Sequence, residues 1–135
     1  MESKNIIVDS SVWISLFNHE DSNHKKAMSF EKILLEEQIM PDLIFYESLT
    51  ILKNKIKNTD LLREFNIFAT DSLNITIKLF YENNRDILNL FIREYKDGLS
   101  YVDVLLLYLS NNYHILTFDE KLRKRIKESG GKLVY

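Results

Sequence analysis

Short apolar runs alternate along this chain with longer stretches in which apolar residues recur every three or four positions. Five runs read as strands: Asn5–Val8, Gln38–Met40, Asn74–Ile77, Ile115–Thr117 and Lys132–Val134. One helix opens at Ser10 or Ser11 and runs to about Phe17. A second, with Ser22 as its cap, covers His24–Glu37 and turns Ala27, Phe30, Ile33 and Leu34 inward. Pro41 starts a turn. The third helix extends from about Leu43 to Lys57, with Phe45, Leu49, Leu52 and Ile56 as its stripe. Asn58-Thr59-Asp60 breaks that pattern and caps Leu61–Thr70. Arg85–Glu94 follows and stops at Asp97-Gly98. Ser100–Ser110 and Glu120–Ser129 complete the set, the last closed by Gly130-Gly131. Alternating strands and helices predict an α/β fold in three layers, a mainly parallel sheet of about five strands flanked by helices.

A length of 135 residues fits a single domain spanning 1–135, and 45% hydrophobic residues suffice for a core. The chain has no cysteine, which excludes disulfides, thiolate metal sites and a cysteine nucleophile. Met1–Lys4 lead into too few apolar residues for a signal peptide, and no run approaches the ~20 needed to cross a membrane. A cytoplasmic protein without a membrane partner is therefore expected. The net charge of −2 does not suggest a polyanion as ligand. Setting aside four acids singled out below leaves 18 basic against 16 acidic side chains, so bulk charge does not exclude one either.

Those four acids are Asp9, Glu47, Asp103 and Asp119, each set in or beside an apolar stretch. Asp9 ends Asn5-Ile-Ile-Val8, and Asp119 follows Ile115-Leu-Thr-Phe118. Glu47 lies one turn from both Leu43 and Ile51, and Asp103 is the one charge within Tyr101–Leu109. Each has a plainer reading. Asp9 and Asp119 can cap the helices that follow them, and Ser100-x-x-Asp103 resembles a capping box. Glu47 is too deep in its helix to cap; a basic partner is its plain reading, but Lys53 and Lys55 fall on other helical faces. In open α/β sheets, ligands bind beyond the carboxyl ends of the strands, where Asp9 and Asp119 fall. Two carboxylates about 5 Å apart repel by roughly 3 kcal/mol at an effective dielectric near 20, so four in one pocket demand a cation. Oxygen donors favour Mg²⁺ or Mn²⁺.

The three histidines form no ligand set, Ser10 and Ser11 lack a triad, and three glycines make no phosphate loop. Lys121, Arg123, Lys124, Arg125 and Lys127 crowd the last helix, and Lys53, Lys55 and Lys57 the third. They are a solvated face or a rim that guides phosphates. Tyr46, Tyr101 and Tyr108 pack in the core or stack on bases.

Taken together, the acids resemble those of the PIN-domain nucleases, and among these the small VapC-type toxins. The carriers are Ile6-Ile-Val-Asp9-Ser-Ser-Val-Trp13, Asp42-Leu-Ile-Phe-Tyr-Glu47, Leu99-Ser-Tyr-Val-Asp103 and Ile115-Leu-Thr-Phe-Asp119. Bulky Leu107, Tyr108 and Leu109 depart from the family pattern, as does Lys121 where another acid can occur. The resemblance implies a metal-dependent endoribonuclease using Mg²⁺ or Mn²⁺ to hydrolyse phosphodiesters in single-stranded or structured RNA. Asp9 and Asp103 would hold the principal metal, Glu47 would complete its shell or orient water, and Asp119 would support a second metal or the water. Ser10 and Thr117 would bond carboxylates or phosphate, and Arg123, Lys124 and Lys127 would guide the RNA backbone. The resemblance also implies a homodimer and an antitoxin protein as partner. Apolar Leu61, Leu62, Phe65 and Phe68, more than one buried face needs, fit an interface.

Three rival readings differ in class. A haloacid-dehalogenase-like phosphatase needs an acid two residues after Asp9, where Ser11 stands. A receiver domain needs a middle acceptor aspartate with no counterpart here. A non-catalytic PIN-like module that binds RNA or protein would not need all four acids.

Overall fold

The computed structural model describes residues 5–94 and 98–135. Met1–Lys4 and the Asp97 half of the expected helix stop lie outside them. Chain order is β1 (Ile6–Val8), α1 (Ser10–Phe17), α2 (His24–Met28), α3 (Glu31–Leu34), β2 (Gln38–Pro41) and α4 (Asp42–Ile51). There follow α5 (Thr59–Asp71), β3 (Ile75–Lys78), α6 (Asn84–Arg93), α7 (Tyr101–Leu109), β4 (His114–Leu116) and α8 (Glu120–Glu128).

All strand pairing among the described residues is parallel. β1 pairs with β4, Val8 opposite Leu116, and β2 with β3, Met40 opposite Ile77. β1 and β2 lie against each other and bring the two ladders side by side. Successive strand residues face opposite sides of a sheet. Ile6, Ile7 and Val8 are all at most 2% exposed, so helices cover both faces of β1. The centre of the core is Trp13, Phe65, Ile44, Leu105, Leu106 and Ile115, each no more than 1% exposed.

Four differences from the expected elements have local causes. Among the described residues four strands form, with the expected fifth reduced to one bridge, Leu133 to Ile115. Lys132 N–H is already committed to the Ser110 carbonyl at 2.9 Å, so the ladder does not extend that way. The expected His24–Glu37 helix splits at Ser29-Phe30, and Asn23, not Ser22, stands at its start. The Ser29 hydroxyl donates to the Lys26 carbonyl, a local bond that competes with helix continuation, and Phe30 leaves the helix to meet Tyr135 at 5.5 Å. Pro41 makes no separate turn; it pairs with Lys78 at the end of β2 and leads directly into α4. The third helix changes pitch after Ile51. Leu52–Ile56 form a π-turn, which ends at Lys57 in the left-handed region, φ 57°.

The apolar surplus expected on α5 is not a surface. Phe65 is fully buried against Phe17 and Phe45, and Leu61, Leu62 and Phe68 pack partly buried on the core. α5 contacts both α4 and α1, which accounts for the extra apolar positions.

Candidate active site

The parallel β1–β4 pair sets the site. Asp9 N–H extends that ladder, donating to the Leu116 carbonyl at 2.9 Å. Asp9 therefore stands beside the Thr117–Asp119 turn, and the first turns of α1 and α8 start from this edge. Asp9 caps α1, and Asp119 caps α8, accepting from Lys121 N–H at 2.9 Å and Leu122 N–H at 3.1 Å. The capping readings of both acids hold, and they do not compete with a second role.

Asp9 is 4% exposed and satisfied by short-range donors. Its Oδ1 accepts from Ser10 N–H at 2.8 Å; its Oδ2 accepts from the Ser11 hydroxyl at 3.0 Å and the Thr117 hydroxyl at 2.7 Å. Thr117 Oγ1 in turn accepts from Asp119 N–H at 3.1 Å, and Ser11 Oγ from Phe118 N–H at 3.2 Å. The Ser10 hydroxyl donates to Glu47 Oε1 across the α1–α4 contact. Ser10 and Thr117, both buried, thus bond carboxylates.

Glu47 is half-buried at the middle of α4. Asp103 is half-buried at the start of α7, where the capping box is complete: its Oδ2 accepts from Ser100 N–H at 3.1 Å. Burial pushes the Asp9 carboxyl up from 3.8 to about 6, beyond what its hydrogen bonds recover, and the charges of Glu47 and Asp103 push the same way. Burial also raises Glu47, with Asp103 and Asp119 adding to it, and raises Asp103, with Asp119 adding. Four acids from four elements therefore share one electrostatic neighbourhood. Among the described residues none of them is in an ion pair. Among those residues, too, no three acids or histidines are closed up to grip one ion. In kind and charge the donor set fits a hard divalent cation: oxygen only, mutually repelling, and without an ion pair to any of the four among the described residues.

The basic helix divides. Arg123, expected to guide phosphate, is 5% exposed. Its guanidinium lies 3.8 Å over the Tyr135 ring, and Nη2 donates to the Tyr135 carbonyl at 2.8 Å. Tyr135 hydroxyl donates to the Thr117 carbonyl at 3.3 Å, so Arg123 braces the site from beneath. Arg125 makes a two-pronged bond to buried Glu94 at 2.6 and 2.9 Å. Lys124 and Lys127 are exposed, Lys124 at 4.0 Å from Glu128. Of the tyrosines, Tyr46 is 58% exposed, whereas Tyr101 and Tyr108 are partly buried.

Ser11, read above as a serine without a triad, and Lys55 and Lys121, read as members of the basic clusters, each act on the acids. Ser11 is the second hydroxyl on Asp9. Lys55 acts favourably on Glu47 and Lys121 on Asp103, with no ion pair to either acid among the described residues.

The family model for the PIN domain matches residues 6–128. Among solved structures, that of VapC20 from Mycobacterium tuberculosis, described as a sarcin-ricin loop cleaving toxin, is similar with a TM-score of 0.77. The two are 16% identical, over 96% of this chain and 98% of that chain, a likeness of fold. No curated protein matches this chain.

Proposed function

This chain belongs to the PIN domain family, and from that premise we propose that it is a metal-dependent endoribonuclease, the toxin of a toxin–antitoxin pair. The observation that carries the reading is the acid pocket at the carboxyl ends of β1 and β4, with Asp9 raised to about 6 by burial and by neighbouring carboxylates. Holding four such groups near one another is costly without a cation, and perturbed acids of this kind mark functional sites. The similarity to VapC20, whose described activity is RNA cleavage, supports RNA as the substrate class.

In this proposal Asp9 and Asp103 hold Mg²⁺ or Mn²⁺, and Glu47 and Asp119 complete the pocket. The bound ion supplies acidity to water and neutralises charge on the phosphoryl oxygens. Ser10, Ser11 and Thr117 fix the Asp9 and Glu47 carboxylates by the bonds described above. Glu47, half-buried and bonded among the described residues by the Ser10 hydroxyl, would accept the proton of the attacking water, and the leaving ribose oxygen would take one from solvent. Water attacks phosphorus in line, and the P–O bond to the departing ribose oxygen breaks. Lys124 and Lys127, exposed on α8, guide the RNA backbone; Arg123 does not. The same reading includes a homodimer, formed over the groove of about 260 Å³ lined by Leu43, Leu79, Phe80, Tyr81 and Tyr101 with Asp42 and Asn84 at its edge, and an antitoxin protein as partner. None of the helices among the described residues is long and apolar enough to cross a membrane, in keeping with a cytoplasmic site of action.

The test is cleavage of defined RNAs by purified protein. EDTA should stop it and Mg²⁺ or Mn²⁺ restore it, and Asp9→Asn and Asp103→Asn should each abolish it. Full activity in chelator, or in either variant, would refute the mechanism. A folded protein that binds RNA and never cuts it would favour the non-catalytic module.

A further inference from the structure

Two adjoining grooves follow the seam between α4, with its π-turn, and the start of α5. One, of about 500 Å³, takes Lys53 from the π-turn and Arg63 from α5, with the amides Asn54 and Asn66 and the apolar Leu49 and Leu62. The other, of about 250 Å³, takes Lys53 again together with Lys57, and shares Leu62. Three cations from two elements thus line one trough, and no acid stands among the described residues that line it.

Elsewhere the chain, at a net charge of −2, mixes its signs. On α8 Lys124 lies 4.0 Å from Glu128 and Arg123 3.8 Å from Glu120, the alternation of a solvated helix. Lys53 and Lys57 make no ion pair among the described residues. Arg63 meets Asp60 at 3.8 Å, but both side chains lie largely in solvent, where such a pair is worth little. Like charges gathered along one trough repel, and an anion seated there relieves the repulsion. Position selects the anion. Thr50 lines the trough three residues after Glu47, which makes the two neighbours on the α4 surface. Lys53 follows Glu47 by six residues, about 9 Å along a helix axis. The trough therefore opens beside the acids, and its amides can donate to phosphate and ribose oxygens. We infer that the α4–α5 trough seats the single-stranded RNA next to the cleaved bond, with Lys53, Lys57 and Arg63 on successive phosphates. This rests on the proposed RNA-cleaving reading and names the residues that hold the strand outside the acid pocket.

Fluorescence anisotropy of a labelled, mixed-sequence single-stranded RNA, in EDTA so that the strand stays whole, tests it. The wild type should bind and should lose affinity steeply as salt rises. Lys53→Gln, Lys57→Asn and Arg63→Gln combined should weaken binding about tenfold or more at low salt and flatten the salt slope by about two units, at about 0.7 per phosphate of a single strand. Asparagine is chosen at position 57 because it tolerates the left-handed backbone there. All three side chains are exposed, so the fold should hold, which circular dichroism checks. Lys32→Gln, Arg93→Gln and Lys132→Gln combined remove the same charge from exposed positions outside the trough and should leave affinity and slope close to wild type. A trough variant that binds no more weakly than this control, or a wild type that does not hold the RNA, would overturn the inference. So would poly-glutamate bound as tightly as RNA through the same three residues, which would assign the trough to an acidic protein segment. Cleavage by the wild type in Mg²⁺ is read separately, so the nuclease reading stands or falls on its own.

Discussion

Asp9→Asn should stabilise the metal-free protein while destroying its activity. In the fold Asp9 holds its proton up to about pH 6, against 3.8 for the unexposed-to-field reference. The folded value is raised, so the contribution to stability is fully present below 3.8 and is lost as pH rises through about 6. Above that, the buried charge costs about 3 kcal/mol. Asparagine removes the charge and keeps the shape. It also turns one acceptor into a donor beside the Ser11 and Thr117 hydroxyls, at a cost of about 1 kcal/mol. The net gain at pH 7.5 is about 2 kcal/mol. Urea unfolding in EDTA measures it, as the difference between variant and wild type at pH 7.5 and at pH 4. The difference should favour the variant at pH 7.5. At pH 4, where wild-type Asp9 is protonated in the fold, it should vanish or reverse slightly. Mg²⁺ at about 100 times its dissociation constant should return about 2.7 kcal/mol to the wild type, and much less to the variant. A variant less stable than wild type at pH 7.5 in EDTA, or a difference that ignores pH, would refute the electrostatic account of the pocket.

Arg123→Gln should lower stability, since it removes the stack on Tyr135 and the bond to its carbonyl, whereas Lys124→Gln with Lys127→Gln should leave stability alone and flatten the salt dependence of RNA binding by up to about two units of slope; equal salt slopes in wild type and the double lysine variant would return that face to mere solvation. Thr117→Val keeps the packing and strips Asp9 of its 2.7 Å donor, so Mn²⁺ affinity measured by calorimetry should fall; unchanged affinity would show that the hydroxyl does not position the carboxylate. Phe65→Glu should unfold the protein, because it buries a charge at a site with no exposure, while Tyr81→Glu, at 80% exposure beside the apolar groove, should leave a folded monomer where light scattering finds a wild-type dimer. A wild type that scatters as a monomer at every accessible concentration would end the homodimer proposal.

The parallel architecture and the convergence of the acids were legible because each acid interrupts an apolar run, and because strand ends in α/β sheets share one edge. Asp9 and Asp119 needed only that rule. Glu47 needed its position deep in a helix, where capping fails as an explanation. What remained hidden was set by contacts far apart in sequence or by a change of helical pitch. Arg123 looks solvated until Tyr135, twelve residues on, folds over its guanidinium. Arg125 looks equally free until Glu94 arrives from α6. The change of pitch after Ile51 was equally hidden, since Leu52–Ile56 continue the apolar spacing of an α-helix in sequence yet form a π-turn. Phe65 looked surplus because a helix contacting two others needs a wider apolar arc than a helix resting on one.

The bond from Thr117 to Asp9 spans 108 positions of sequence. Its meaning is temporal as well as geometric. A chain growing at about 5–20 residues per second carries Asp9, Glu47 and Asp103 for some time before β4 exists. Until then β1 has no partner strand on that side, Asp9 has lost its strongest donor, and the fourth acid has not been made. Contacts this remote also close late in folding, after local helices have formed. A translation product broken off before residue 114 therefore lacks β4, the Thr117 donor to Asp9 and the fourth acid together.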